Sequence, residues 1–255
     1  MISVNGLQID DNVSYIVEEL TFRSMPKRNF QVVPISRRPG DKLTAAEWES
    51  KTINVKGRVF STTVSGLRNA VDTLQQNFAV KGLAFNIDSD RTYTASLQKM
   101  DIPTQFYNLT MVQYDADFFC VNPFAYGSLL TASGTVVSGT ITYSGTVTIS
   151  GTVFAEPTLT INPIGSGAGN SNILQFQFGY SPTGEIVTVS GIINYKSDLV
   201  ANYANFTITN SGVTSDYSGI FSRWEPGVTG FTLSTISGSH LGYNWKITYS
   251  PKYYE

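Results

Sequence analysis

The sequence predicts a mainly β fold made of two β-sandwich domains, the first of which carries one α-helix. Three observations support this prediction. Apolar and polar residues alternate with a period of two along much of the 255-residue chain, which is typical of half-buried strands. A single segment has the periodicity of an amphipathic helix. In the second half, turn residues separate short strand candidates at intervals of about ten residues, as in β-sandwiches.

The first half contains the helix and several predicted strands. The segment ISVNGLQI alternates around Asn5-Gly6, which is the strongest short hairpin signal. Residues 15–22 and 52–60 are further strand candidates. Serine and threonine residues at 61–65 offer an N-cap for the helix. The helix itself is predicted from an apolar stripe at helical spacing, formed by Leu67, Val71, Leu74 and Phe78.

A basic segment separates the first strands. Residues 23–42 contain three prolines and six basic residues with little periodicity, so they predict a long basic excursion or loop. The motif Thr44-Ala-Ala-Glu47 has the pattern of a capping box and predicts a helical turn over 45–50. The segment carries Lys27, Arg28, Arg37 and Arg38.

The stretch SGTVVSGTITYSGTVTISGTV, residues 133–153, repeats Ser-Gly-Thr four times. From Val137 to Val153 every odd position is apolar or glycine and every even position is serine or threonine. This pattern predicts a strand with one buried and one wet face, whereas a Gly/Ser linker would lack the alternate apolar residues. Because a single strand of this length would span roughly 55 Å, we expect a break at one of the Ser-Gly pairs.

Charge predicts a domain boundary near residue 127. Residues 1–126 hold 13 basic and 13 acidic residues, whereas residues 127–255 hold 4 basic and 6 acidic ones. The second half is instead rich in glycine, serine, threonine, asparagine and tyrosine. We therefore expect one domain over 1–126 and a second over 127–255.

Composition and motifs argue against several functional classes. The net charge of −2 does not favour a nucleic-acid-binding protein, and no apolar run is long enough to predict membrane insertion. The N-terminus does not have the pattern of a signal peptide. His240 is the single histidine and no G-x-S-x-G motif occurs. Cys120 lies among apolar residues and is expected to be a buried, inert thiol. We predict no catalytic residues, no metal site, no cofactor and no enzymatic activity.

Aromatic residues are concentrated in the second half of the chain. Exposed rings on a β-sandwich can stack on sugars, and the candidate glycan-facing residues are Tyr217, Trp224, Tyr243 and Trp245. The alternative is that most of these rings lie in the core or at a subunit interface, where tyrosine and tryptophan are also enriched.

Several segments in a consistent order resemble the distal tail protein (Dit) family of phages with long, non-contractile tails. The most specific is DFFCVNPFAYG, in which Asn122 stands where the family usually has an aspartate before Pro123-Phe124. TINVKGRVF, the predicted helix, LAFNID and RTYTASL precede it. The Ser-Gly-Thr repeat leading to EPTLTI, then NSGVTSDYSGIFSRWEPGVTGFTLS and KITYSPKYY, follow it. The resemblance covers essentially the whole chain.

The resemblance implies a tail-tube-like first sandwich and a galectin-like or carbohydrate-module-like second one. The Ser-Gly-Thr repeat would form the join between them and the first strand or hairpin of the second. Six copies would form a ring at the tail tip, joining the tail tube to the tail hub or fibre protein. In such a ring the candidates for contact with acidic groups of a neighbouring copy are Lys27, Arg28, Arg37 and Arg38. The alternative is that these side chains lie on a solvated face. The ring would leave a channel for DNA and the tape-measure protein, and its peripheral domains would hold receptor-binding proteins.

The resemblance therefore implies a structural virion protein, made in the host cytoplasm. The alternative function is a carbohydrate-binding protein that contacts host-surface glycans.

Overall fold

The computed structural model describes residues 1–22, 26–34, 41–80, 82–87, 90–102, 110–164, 172–193 and 197–254. One α-helix and 22 β-strands lie in this described part of the chain, which confirms the predicted mainly β class with one helix. The chain divides into two units, Met1–Gly127 with Tyr253–Glu255, and Ser128–Lys252. Each unit has its own hydrophobic core.

The first unit is built on an antiparallel sheet in the order β2-β1-β7-β8-β9-β6-β3. Strand β8 pairs with β7 through Thr92–Ala95 and with β9 through residues 96–101, so it joins two parts of the sheet. The elements of this unit are β1 (Ser3–Val4), β2 (Leu7–Gln8), β3 (Tyr15–Thr21), β4 (Arg28–Pro34), β5 (Asp41–Trp48), β6 (Lys51–Phe60), α1 (Val64–Phe78), β7 (Leu83–Asn86), β8 (Thr92–Asp101), β9 (Met111–Cys120) and β10 (Ala125–Tyr126).

The predicted N-terminal hairpin is confirmed. Strands β1 and β2 pair with Val4 opposite Leu7. Asn5 and Gly6 between them have φ angles of 50° and 85°. Two successive positive φ angles are what a two-residue hairpin turn requires, and asparagine and glycine adopt them at the lowest cost.

The predicted helix is also confirmed. The Thr63 side chain is its N-cap and accepts a hydrogen bond from the Gly66 amide at 3.1 Å. The four residues of the apolar stripe are buried. At the last of them, the Phe78 ring packs edge-on against Phe118, with centroids 4.9 Å apart. The helix is therefore held by its apolar face against the sheet.

Two strands of a hairpin, β4 and β5, lie in the described part of the basic segment and just after it, so an irregular loop is wrong there. Residues 23–25 and 35–40 lie outside the described residues. Strands β4 and β5 pair antiparallel, with Arg28 opposite Trp48 and Gln31 opposite Ala45. The helical turn predicted over 45–50 is wrong for the same reason. A capping pattern stabilises a helix only when enough residues follow to offset the cost of nucleation. Pairing with β4 instead satisfies the backbone of this segment.

The second unit is a sandwich of two antiparallel sheets. One has the order β11-β21-β13-β16-β17-β18 and the other has the order β12-β20-β14-β15-β19. Side chains from both sheets form its core. The strands are β11 (Leu130–Val136), β12 (Thr142–Ile149), β13 (Thr158–Ile164), β14 (Ile173–Tyr180), β15 (Glu185–Ile193), β16 (Leu199–Asn202), β17 (Thr207–Asn210), β18 (Val213–Thr214), β19 (Tyr217–Gly219), β20 (Gly227–Gly238) and β21 (Gly242–Tyr249). The last short strand, β22 (Lys252–Tyr253), pairs with β10 in the nine-stranded sheet instead.

The Ser-Gly-Thr repeat forms two strands of different sheets. The predicted break is confirmed between β11 and β12, where Gly139 has a φ of 89°. The two strands do not pair with each other, because β11 pairs with β21 and β12 with β20. The repeat is therefore not a hairpin. The chain passes from one sheet to the other between β11 and β12. Both strands therefore bury side chains, such as Val136 and Val147, in the core of the second unit.

Candidate functional site

The structure describes two of the four basic candidates for a subunit interface. The Lys27 ammonium group lies 3.3 Å from a Glu49 carboxylate oxygen, and its side chain is 75% exposed. The exposed Arg28 guanidinium lies 5.1 Å from the centre of the Trp48 ring. Arg37 and Arg38 lie outside the described residues. The two described candidates thus lie where β4 begins and β5 ends, with Arg28 opposite Trp48. We call this end the base of the β4–β5 hairpin.

Aromatic packing fixes the base of this hairpin. The Trp48 ring centroid lies 5.8 Å from that of Phe124 and 5.1 Å from that of Tyr254. The Asn122 side-chain oxygen accepts a hydrogen bond from the Phe124 amide at 3.2 Å. An amide oxygen therefore supplies the acceptor that an aspartate could supply at this position.

The outer face of strands β3, β6, β8 and β9 carries an array of charges, which we call the charged sheet face. Arg58 pairs with Glu18 at 2.6 Å and Lys56 with Glu19 at 2.9 Å. Asn54 donates to both Asp115 and Asp117, the two carboxylates that alternate along one face of β9. Exposed ion pairs add little stability. Arrays of mixed charge can instead fix the register of a partner surface.

A buried polar cluster lies at the start of β6. The Lys51 ammonium group is 3.1 Å from the Tyr93 hydroxyl oxygen, and Lys51 lies opposite Cys120 in the paired strands. Burial lowers the pKa of Lys51 to about 8 and raises the pKa of the Cys120 thiol to about 11. Cys120 is fully buried, as expected of an inert thiol.

Replacing Lys51 by methionine is expected to change how stability depends on pH. Because folding lowers the pKa of Lys51 from 10.5 to about 8, the folded state binds fewer protons between these values. The lysine therefore penalises folding fully below pH 8, and the penalty fades as the pH rises towards 10.5. The free-energy gain of Lys51→Met over wild type should fall by about 1 kcal/mol or more across this window.

Chemical unfolding at a series of pH values measures this difference. Lys99→Met is the matched control, because Lys99 is exposed and pairs with Asp101 at the surface. Its difference from wild type should stay nearly constant over the same pH range. A constant difference for Lys51→Met as well would show that folding does not lower the pKa of Lys51.

Most of the candidate glycan-facing aromatics lie in the core of the second unit. Trp224 is 1% exposed, Trp245 is 6% exposed and Tyr243 is fully buried. Their rings are therefore not available for stacking on a sugar at the surface. Tyr217, at 39% exposure, is the member of this group whose ring reaches solvent. Its hydroxyl donates to the Phe206 carbonyl at 2.9 Å.

The described residues show no constellation with catalytic or metal-binding geometry. His240 lies between β20 and β21, where its carbonyl accepts hydrogen bonds from the Ser138 hydroxyl and the Gly139 amide. Among described residues, no group of three or more His, Cys, Asp or Glu side chains could hold a metal ion. The one helix of that part of the chain is not long and apolar enough to cross a membrane.

Comparison with solved structures finds the same fold in a phage protein. The Dit protein of phage SPP1 (gp 19.1), a paradigm of the hub adsorption apparatus in phages that infect Gram-positive bacteria, matches with a TM-score of 0.70 and 15% identity, covering 98% of each chain. Two activated phage P2 baseplate structures match at a TM-score of 0.47 and 8% identity. The match to the baseplate structure with Ca covers 95% of this chain and 92% of that chain. The match to the baseplate structure with Sr covers 97% of each chain.

No protein-family model and no curated protein matches the chain. The similarity to the SPP1 protein nevertheless extends over both units. The chain therefore has the fold of a phage Dit protein, which confirms the resemblance at the level of structure.

Proposed function

We propose that the protein is a structural component of the distal end of a long, non-contractile phage tail, where six copies form a ring. The observation that carries this proposal is the likeness of fold to the SPP1 Dit protein over 98% of both chains. The ring would join the tail tube to the tail hub or fibre protein and leave a channel for DNA and the tape-measure protein. The second unit would lie at the periphery and hold receptor-binding proteins.

The distribution of charge in the first unit supports this proposal. A ring of identical copies uses heterologous contacts, so each copy needs two different surfaces that complement each other. The base of the β4–β5 hairpin presents Lys27 and Arg28, and the charged sheet face presents an excess of carboxylates. Lys27 also contacts Glu49 of its own chain. Both cations are nevertheless exposed, so they can meet the carboxylates of a neighbouring copy across a charged interface.

Reversing the two described basic charges is expected to weaken the ring. In Lys27→Glu/Arg28→Glu, like charges would face the carboxylates of the neighbouring copy, so the affinity between subunits should fall by about ten-fold or more. Sedimentation velocity at low and high salt measures this effect. The matched control is Arg223→Glu/Lys246→Glu, which reverses two charges in the second unit. If both double variants formed rings equally well, the base of the hairpin would not be part of the interface between subunits.

Electron microscopy of the purified protein tests the proposed architecture. The proposal predicts particles with six-fold symmetry and an open centre. Closed rings of another symmetry, or compact particles without a channel, would contradict it.

A further inference from the structure

An open groove of about 410 Å³ lies on the six-stranded sheet of the second unit. Along β21, Tyr243, Trp245 and Ile247 are buried, whereas Asn244 and Lys246 are exposed. The exposed side chains therefore project from the outer face of the sheet. Polar groups that line the groove include Thr135, Thr160, Asn162, Asp198, Asn244 and Lys246.

Hydrogen bonds orient the amide and carboxylate groups of this groove. Asn162 donates to one Asp198 oxygen at 2.7 Å, which leaves the second carboxylate oxygen as an acceptor. The Thr135 hydroxyl donates to the Asn244 side-chain oxygen at 2.7 Å, which leaves the Asn244 amide nitrogen as a donor. The groove therefore presents a fixed acceptor and a fixed donor.

Strand pairing brings these groups close together. Asn162 lies opposite Asn244, and Thr160 lies opposite Lys246. Directly opposed residues on one face of an antiparallel pair have Cβ atoms about 5 Å apart. Both strands are internal to the sheet, so their backbones are held on both sides. This support reduces the ordering cost of binding.

The chemistry of the lining selects a class of ligand. The groups described above are hydroxyls, amides, one carboxylate and one ammonium group, so an apolar ligand would leave them unpaired. Asp198 and Lys246 balance in charge, so the groove does not favour a strongly anionic ligand. Neighbouring hydroxyl groups, each of which donates and accepts, match this set of donors and acceptors.

We propose that this groove binds a neutral saccharide. Asp198 and Asn162 accept hydrogen bonds from sugar hydroxyls, and Asn244 and Lys246 donate to hydroxyl oxygens. The groove lies on the outer face of the sheet. Trp245 also lines it, but this residue is 6% exposed and packs in the core. It does not depend on ring formation by the first unit.

A glycan array that contains neutral and charged oligosaccharides tests this proposal on the full-length protein. A neutral saccharide retained by wild type is then titrated against variants by isothermal calorimetry. Asp198→Ala and Asn244→Ala should each weaken its binding by about ten-fold or more, because each removes an oriented hydrogen-bonding group. Thermal unfolding checks that both surface variants remain folded.

The matched control is Gln177→Ala. Gln177 forms a polar pair with Thr188 at 3.0 Å on the other sheet, so this substitution removes an amide from a comparable surface without altering the groove. Its saccharide affinity should equal that of wild type. The proposal would be overturned if the wild-type protein retained no neutral saccharide on the array. It would also be overturned if neither Asp198→Ala nor Asn244→Ala changed the affinity for the saccharide. Selective binding of anionic glycans would overturn the assignment of a neutral ligand.

Discussion

Replacing Trp224 by alanine is expected to destabilise the second unit by about 4 kcal/mol. The indole is 1% exposed and stacks on Tyr180 and Phe231, with centroid distances of 5.6 Å and 6.1 Å. Tyr203 packs edge-on against it at 5.8 Å. Removal of this side chain would leave a large cavity between the three rings that contact it.

Denaturant unfolding measures the loss, and hydrogen exchange followed by mass spectrometry locates it. Protection should fall within residues 128–252. Tyr217→Ala provides the control, because its partly exposed ring should contribute about 2 kcal/mol or less, half of the loss expected for Trp224→Ala. If Trp224→Ala kept wild-type stability, the side chain would not be part of the core, and a role in ligand stacking would again be open.

The second large effect is expected at Gly57, in the middle of β6. A Cβ atom at this position would lie 2.4 Å from the Ile16 carbonyl oxygen and 2.6 Å from the Tyr114 hydroxyl oxygen. Both distances are shorter than van der Waals contact, and the Tyr114 ring is buried. Gly57→Ala should therefore destabilise the first unit by about 3 kcal/mol through overpacking.

Thr52→Ala is the matched control on the same strand. Thr52 is exposed, so its replacement should change the unfolding free energy by about 0.5 kcal/mol or less. Denaturant unfolding compares both variants with wild type. If Gly57→Ala and Thr52→Ala were equally stable, the strands beside β6 would accommodate the added methyl group without a cost in unfolding free energy.

The sequence predicted those elements whose stability depends on local pattern. The helix follows from four apolar residues at helical spacing, and the first hairpin follows from Asn5-Gly6. The β4–β5 hairpin was missed because prolines and charges masked its alternation, and its pairing depends on the partner strand. The partners of β11 and β12 could not be predicted either, since long-range pairing leaves no local signal.

The candidate sites were only partly predictable. Aromatic composition pointed to Trp224 and Trp245, but the same residue types form cores, and the structure places both inside. The groove combines residues from β11, β13 and β21 that are far apart in sequence. Alternation in β21 identifies Asn244 and Lys246 as one outward face, but only the sheet order brings Asp198 and Asn162 beside them.

Native mass spectrometry of the purified protein tests the central proposal most directly. A single chain has a mass of 27.9 kDa, and the proposal predicts a complex of six chains over a wide range of protein concentration. The ring should lose subunits as salt concentration rises, since charged surfaces are proposed to contribute to its contacts. A protein that remains monomeric at every concentration, or that forms only dimers, would contradict the proposal that this chain forms the ring by itself.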